Sequence, residues 1–287
     1  MGLLVNSVVL ASVYALIAVG WVVIFRASRI PNFASGSIIL VGALIFTSFV
    51  GDGSGSILLP LVLALAATGA LAALIHRGLL TPLTGERLWA PTVLLFGLSI
   101  LLGALASLFW GNQPRVLPQP VANSTYELPM GASITTYGLL SIVVTSVVIA
   151  GLLAFFRWSR TGTQMRAVAE SGLLASQTGI RINHVTTLSW VIAGCTSALA
   201  GIQYGYVNIV GQEMSVLGLR GIAPALIGGF DSVKGVAIGS LIVAAVETYG
   251  VRYLGGESQD AVVFVVLLAF LVVKPYGLFG TAQIRRV

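Results

Sequence analysis

Two ionisable residues stand inside apolar stretches, where a charge is costly: Glu247 within 235–252 and Arg220 within 216–230. A charged side chain at membrane depth needs a partner and marks either a solute path or a structural pair. These two could pair across neighbouring helices, sit near the outer interface, or line a path for a solute. Bond-breaking chemistry has no comparable constellation. His76 and His184 fall at expected helix ends with no carboxylate cluster beside either, and the GxSxG and HExxH patterns are absent. Cys195 is the sole cysteine, so neither an internal disulfide nor a Cys-based metal site can form. The chemistry on offer is recognition and passage.

A second feature is polar and long. The segment RWSRTGTQMRAVAESGLLASQTGIRINHV runs from Arg157 to Val185 between two apolar runs. Thr163 can cap a helix that continues through Ser176 and ends at Gly179. Along it Met165, Val168, Ala169, Leu173 and Ala175 alternate with Arg166, Glu170 and Gln177. That spacing predicts an amphipathic helix within 161–179 lying on one membrane face as a docking element.

The elements that must position these residues are apolar helices. Hydrophobic residues make up 57% of the 287, charged residues only 8%, and mean hydropathy is +0.99. A soluble domain carries roughly 25% charged residues, so the fold class is an all-α integral membrane protein in a lipid bilayer. Candidate spans of about 20 residues are 2–25, 34–50, 57–78, 88–110, 134–156, 183–207, 216–230, 235–252 and 259–274, a bundle of 8–9 transmembrane helices in one domain, 1–287. No basic residue precedes the run Leu3–Phe25, while Arg26 and Arg29 follow it, so it reads as a retained first span. The stretch 216–230 is short and interrupted by Gly218, Gly221, Pro224, Gly228 and Gly229, as a broken or re-entrant helix would be.

Charge placement sets the expected orientation. With an external N-terminus and nine crossings, one face holds Arg26, Arg29, Arg77, Arg87, Arg157, Arg160, Arg166, Arg181, Lys234, Lys274, Arg285 and Arg286. The other holds only Arg115, Arg220 and Arg252, which completes the 15 basic residues. The richer face is expected in the cytoplasm, with the C-terminus. Charges set singly at segment ends serve topology and argue against nucleic acid. The loop 111–133, with Pro114, Pro118, Pro120 and Pro129, is then an external cap. No GxxxxGK[ST] phosphate loop occurs, so any ATPase must be another chain.

Within the bundle, Ser99-Gly103-Ser107, Ala193-Ser197-Gly201 and Gly235-Gly239 are small-residue stripes suited to close helix packing. The second span opens Ile30-Pro31-Asn32-Phe33-Ala34-Ser35-Gly36-Ser37. Pro31 suits a helix start and Asn32 or Ser35 can cap it. Its positive end favours an anionic group, which makes Asn32, Phe33, Ser35 and Gly36, with Arg220 and Glu247, the candidates for a translocation path.

Four motifs then converge. Ser12-Val13-Tyr14-Ala15-Leu16-Ile17-Ala18-Val19-Gly20 matches SxYALIAxG, and Pro31-Asn32-Phe33-Ala34-Ser35-Gly36 is similar to INFAxG. The stretch from Ala225 to Gly235 is similar to LGGxGSxxG, with Phe230 and Asp231 where Gly and Ser are usual. Lys274-Pro275-Tyr276-Gly277-Leu278-Phe279-Gly280 matches a closing KPxGLFG. Together with Arg166-Ala167-Val168-Ala169-Glu170, Ala175 and Gly179-Ile180, they resemble permeases of the branched-chain amino acid type of ABC importers, in the smaller, first form of the pair. The docking segment begins Arg-Ala-Val-Ala-Glu where the general importer motif begins Glu-Ala-Ala.

The resemblance implies a permease subunit forming half of a translocation path for branched-chain amino acids or a similar small polar solute. Its implied partners are a second homologous permease, two cytoplasmic ATPase subunits and an extracytoplasmic substrate-binding protein. ATP and Mg would be used by those ATPases, with no cofactor on this chain and no enzymatic role for it. Arg166, Ala169, Glu170, Ala175, Gly179 and Ile180 become the ATPase-coupling residues. The alternative is a stand-alone secondary transporter or channel for a small neutral solute, which would have to work through Glu247 and Arg220.

Overall fold

The computed structural model describes residues 2–51, 56–87, 89–119, 122–128 and 131–280. Arg285 and Arg286 of the expected basic face lie outside the described residues, as do Pro120 and Pro129 of the expected cap and residue 88.

Apolar runs in lipid must satisfy their own backbone amides, and a helix does so within one segment. In chain order the helices are α1 (Gly2–Ser28), α2 (Ser35–Val50), α3 (Leu58–Leu74), α4 (Trp89–Trp110), α5 (Thr136–Trp158), α6 (Arg160–Glu170) and α7 (Gly172–Gln177). They continue as α8 (Ile182–Val207), α9 (Met214–Arg220), α10 (Ile222–Gly228), α11 (Val233–Leu254) and α12 (Gln259–Val273). A π turn, Ile75–Leu80, and a 3-10 turn, Thr81–Leu83, prolong α3; Pro82 has no amide to give Gly78. Among the described residues seven helices are long and apolar enough to cross a membrane, and Ser35–Val50 and Met214–Gly228 are shorter apolar stretches. The fold is an all-α membrane bundle.

α1 and α8 form its centre and are buried along most of their length, whereas α4, α5 and α12 point Ile100, Leu108, Val147 and Leu268 outward. The central pair runs antiparallel. Gly20 of α1 lies against Ala193 and Thr196, and nearer the other end Ser12 Oγ meets Ser141 Oγ at 2.8 Å, which donates to Gln203 Oε1 at 2.9 Å. Small residues bring backbones together, as the stripes predict. A methyl group on Gly42, Gly194 or Gly201 would come within 3.0 Å of Ala198, Thr68 or Ile39 respectively.

Two ends can be told apart by cross-chain contacts. Arg115 and Val210 exchange backbone hydrogen bonds of 2.8 and 2.9 Å, so the turns after α4 and α8 share one end, here the far end. Arg29 pairs with Asp231 at 3.5 Å and donates to the Ala169 carbonyl at 2.9 Å. The turns after α1 and α10 and helix α6 therefore share the opposite, basic end. Residues 214–228 start beside Val210 and finish beside Asp231, so this stretch is a broken traverse between the ends rather than a re-entrant loop. The break falls at Gly221, and Pro224 cannot donate to the carbonyl of Arg220.

The expected cap between α4 and α5 contains more order than a loop. β1 (Thr125–Leu128) pairs antiparallel with β2 (Ala132–Thr135), Thr125 opposite Thr135. Its β-branched and aromatic residues, Thr125, Tyr126, Ile134 and Thr135, suit a pleated pair. Thr135 then accepts from Gly138 N and caps α5.

Candidate functional site

The polar segment folds differently from the single helix its spacing predicts. Ser159, not Thr163, is the cap: its hydroxyl accepts from Gly162 N at 2.8 Å, while Thr163 donates to the Ser159 carbonyl. The helix can turn back on α5 because residue 162 is glycine; a Cβ there would strike the backbone of Phe155 and Phe156. It stops at Glu170, Ser171 caps the short α7 by accepting from Leu174 N, and Gly179 at φ 82° closes the segment.

Met165, Val168 and Ala175 are buried with Val185 and lean on Phe155 and Phe156, so the apolar face is used up within the chain. Of the six residues expected to couple, Glu170 and Gly179 are exposed, Arg166, Ala169 and Ile180 are half-buried, and Ala175 is buried. Leu173 does not join the buried face as its spacing suggests. It is 71% exposed and Leu174 is 62% exposed, beside Glu170 at the tip. Two exposed leucines therefore follow Glu170 in sequence on the short, Ser171-capped α7.

The second element is the start of α2. Arg29 takes the left-handed conformation at φ 57°, residues 30–34 are non-helical, and α2 begins at Ser35. Ser37 Oγ bonds the Ser99 carbonyl at 2.8 Å. Ser99 follows the first residue of α4 by ten positions, about 15 Å along that helix. The N-terminus of α2 thus lies inside the bundle. Asn32 Oδ1 accepts from Ala34 N at 3.1 Å and shapes the turn, but no side chain caps the first helical turn. Ser35 Oγ is buried without a partner, so neither expected cap performs that task. Phe33 stacks on Phe96 at 4.2 Å and meets Trp21 edge-on at 5.7 Å. Gly36 lies directly beneath Ser215 and Gly218 of α9, and Trp21 Nε1 donates to the Gly218 carbonyl at 3.1 Å. Helix α9 closes the polar mouth of α2.

Arg220 and Glu247 do meet, as their placement suggests, at 3.7 Å. They belong to a larger cluster. Tyr14 donates to Glu247 Oε2, Gln259 Nε2 donates to Oε1 at 2.5 Å, and Arg220 Nε donates to Asp260 Oδ1 at 2.5 Å. The Glu247 residue is 1% exposed, yet it borders a cavity of about 330 Å³ at the far end with Asn6, Tyr204, Asn208 and Gln259. Four elements, α1, α9, α11 and α12, are tied at this one point, and every charge has an opposite partner.

These features are those of a passage protein whose broken helices sit in its core. Residues 3–271 match the family described as "Branched-chain amino acid transport system / permease component". The chain belongs to this permease family. It is similar to the high-affinity branched-chain amino acid transport system permease protein BraD of Pseudomonas aeruginosa, 30% identical over 99% of this chain and 97% of the relative. It resembles LivH of Escherichia coli strain K12, 29% identical over 98% of this chain and 96% of that one. A probable branched-chain amino acid transport permease protein LivH of Methanocaldococcus jannaschii is 23% identical, covering 97% and 92%.

In this permease the motif residues have visible duties. Tyr14 of the first motif is the buried donor to Glu247. The closing motif caps α10: Leu278 N donates to the Ile227 carbonyl at 2.8 Å and Phe279 N to that of Gly228 at 3.2 Å. Both histidines stay outside any site among the described residues. His76 is buried against Thr187 Oγ1 at 2.9 Å, and His184 lies in the first turn of α8. Sequence reasoning missed Tyr14, Gln259 and Asp260 as partners, Ser159 and Ser171 as caps, and the exposure of Leu173 and Leu174. Only the Ser-x-x-Gly and Ser-x-x-Leu spacings at 159 and 171 gave a local signal.

Proposed function

We propose that this permease is one of two membrane halves of an ABC importer for branched-chain amino acids, with its basic end in the cytoplasm. The observation that carries the reading is full-length similarity to high-affinity branched-chain amino acid permeases, together with an exposed tip at Glu170, Leu173 and Leu174. Two separate ATPases that use ATP and Mg dock on that tip and on its counterpart in a second homologous permease. An extracytoplasmic binding protein delivers solute to the far end, beside β1, β2 and the cavity next to Glu247. Solute then crosses past α9 and the buried mouth of α2, where Asn32, Phe33, Ser35 and Gly36 stand. Stand-alone secondary transport is not favoured, because Glu247 already has three protein partners.

The test is purification of the complex from native membranes, followed by leucine uptake into proteoliposomes. Wild-type chain is expected to bring two ATPases and to accumulate leucine on addition of ATP. Leu173→Asp with Leu174→Asp is expected to insert and fold normally and to lose the ATPases. Retained ATPases in that variant refute the docking tip, and ATP-independent uptake by the lone chain refutes the importer reading.

A further inference from the structure

A docking tip is useful only if its movement reaches the broken elements that close the path. One residue, Arg29, joins the docking helix to the segments that lead to them. Arg29 Nη2 donates to the carbonyl of Ala169 at 2.9 Å, one of the last carbonyls of α6, which have no intrahelical amide to accept from. Its Nη1 stands 3.5 Å from Asp231 Oδ1, in the turn that joins α10 to α11. Its own peptide begins the non-helical stretch that carries the chain up to α2, and its amide closes α1 by donating to the Phe25 carbonyl at 2.8 Å. The guanidinium therefore joins α6, the Asp231 turn after α10 and the Phe25 ring at the end of α1, while the backbone of Arg29 opens the segment that leads to α2.

The backbone at this point is informative. Among the described residues Arg29 is the one non-glycine with positive φ, at 57°. Glycine is the ordinary residue where a helix ends in the left-handed region, because a side chain there is strained. An arginine held in that conformation signals a use for its side chain. The two-pronged planar head suits the arrangement, since separate nitrogens reach α6 and Asp231 together, which a single ammonium does less well. Above it runs a continuous row of rings. Arg29 lies 5.7 Å over the Phe25 ring, Phe25 stacks on Phe230 at 4.5 Å, and Phe230 lies 6.5 Å from Trp21. Trp21 touches Phe33 and bonds Gly218 of α9.

We propose that Arg29 is a positioning residue for transport, transmitting displacement of the docking helices to α2 and to the broken helix α9–α10. The inference rests on the docking reading above. When α6 shifts, the bond to Ala169 pulls Arg29, and Arg29 moves the segment leading to α2 and the Asp231 turn together. The linkage meets α6 at the Ala169 carbonyl and leaves the exposed side chains of Leu173 and Leu174 untouched, so assembly and transmission can be measured separately.

The experiment reconstitutes the complete importer and measures solute accumulated per ATP hydrolysed, alongside the amount of ATPase retained. Arg29→Gly keeps the left-handed backbone and removes the side chain. It is expected to hold wild-type amounts of ATPase while uptake per ATP falls about fivefold or more. Arg29→Lys is expected to recover part of that loss. Asp231→Asn is expected to lower the ratio alone and to add nothing on top of Arg29→Gly, as partners in one linkage must. A wild-type ratio in Arg29→Gly overturns the inference, as does full additivity with Asp231→Asn. Loss of ATPase from Arg29→Gly also overturns it, by making Arg29 part of the docking surface. A wild-type chain that holds no ATPase sinks the docking reading itself, and the linkage with it.

Discussion

Truncating Glu247 tests whether the far-end cluster is a structural clamp. In Glu247→Ala the fully buried Tyr14 hydroxyl loses its acceptor, which costs about 1–3 kcal/mol for an unsatisfied buried group. One buried methylene, Cγ, leaves as well, at about 0.8 kcal/mol. Arg220 keeps Asp260 and gives up only the longer 3.7 Å contact, and Gln259 borders the cavity, where water can replace its partner. The sum is about 2–4 kcal/mol, overlapping the range for breaking one side of a buried ion pair. Glu247→Gln keeps an oxygen for Tyr14 and the volume, so it is expected to cost only about 1 kcal/mol, near the value of a helix–helix hydrogen bond in a membrane protein. Tyr14→Phe should cost a similar amount, and the Tyr14–Glu247 double-mutant cycle should show coupling of about 0.5–3 kcal/mol.

Reversible unfolding in mixed detergent micelles measures all four proteins on one scale. A Glu247→Ala loss below about 1 kcal/mol refutes the reasoning, because it places the cluster in water. Equal losses for Glu247→Gln and Glu247→Ala refute it differently, by making the charge itself, and not the hydrogen-bonded shape, the stabilising feature.

Two further outcomes are expected. Gly36→Ala would drive a methyl group into the Ser215 carbonyl region of α9, and overpacking of this kind costs about 1–3 kcal/mol; the size-exclusion profile and unfolding midpoint of the variant should both worsen, while Gly78→Ala, in open space, should leave both unchanged. Ser159→Ala removes the acceptor for Gly162 N and should destabilise α6 locally by about 1 kcal/mol, read as faster amide exchange confined to 160–170.

What was legible in the sequence followed from strong local signals. Uninterrupted apolar runs placed the long spans within a few residues, since lipid allows no other backbone solution. The cluster of Gly218, Gly221, Pro224, Gly228 and Gly229 announced a break in 214–228, and the structure puts it at Gly221. The Glu247–Arg220 pairing followed from the cost of a lone buried charge. Tyr14 as a third member did not, because a tyrosine 233 positions away carries no local mark of its partner. Leu173 was misplaced for a related reason. Helical spacing assigns faces along one continuous axis, and Ser171 ends that axis, so everything after it is rotated. Thr163 was preferred over Ser159 as cap because the helix start was set too late; both residues have the right chemistry. The depth of α2 lay outside local reasoning altogether, since it depends on Ser37 meeting Ser99 on another helix.

That depth makes α9 the element whose movement matters. The first-turn amides of α2 and the Ser35 hydroxyl form a polar mouth inside an apolar bundle, and Gly218 and Ser215 lie directly on it. On the path proposed above, a solute would reach those groups only after α9 withdraws. Helix α9 is held at its end by Arg220 through Glu247 and Asp260, and the connected α10 is held at its foot by Asp231 through Arg29. Between those anchors lie Gly221, Gly228 and Gly229; Gly221, at the break beside Arg220, packs on Ile17 of α1 and admits no side chain. An anchor at each end and the break at Gly221 favour rotation of α9 about that break over translation of the whole α9–α10 stretch. Closing the mouth then requires only that α9 rotate back onto Gly36, where two glycines facing each other let the helices meet without a side chain between them.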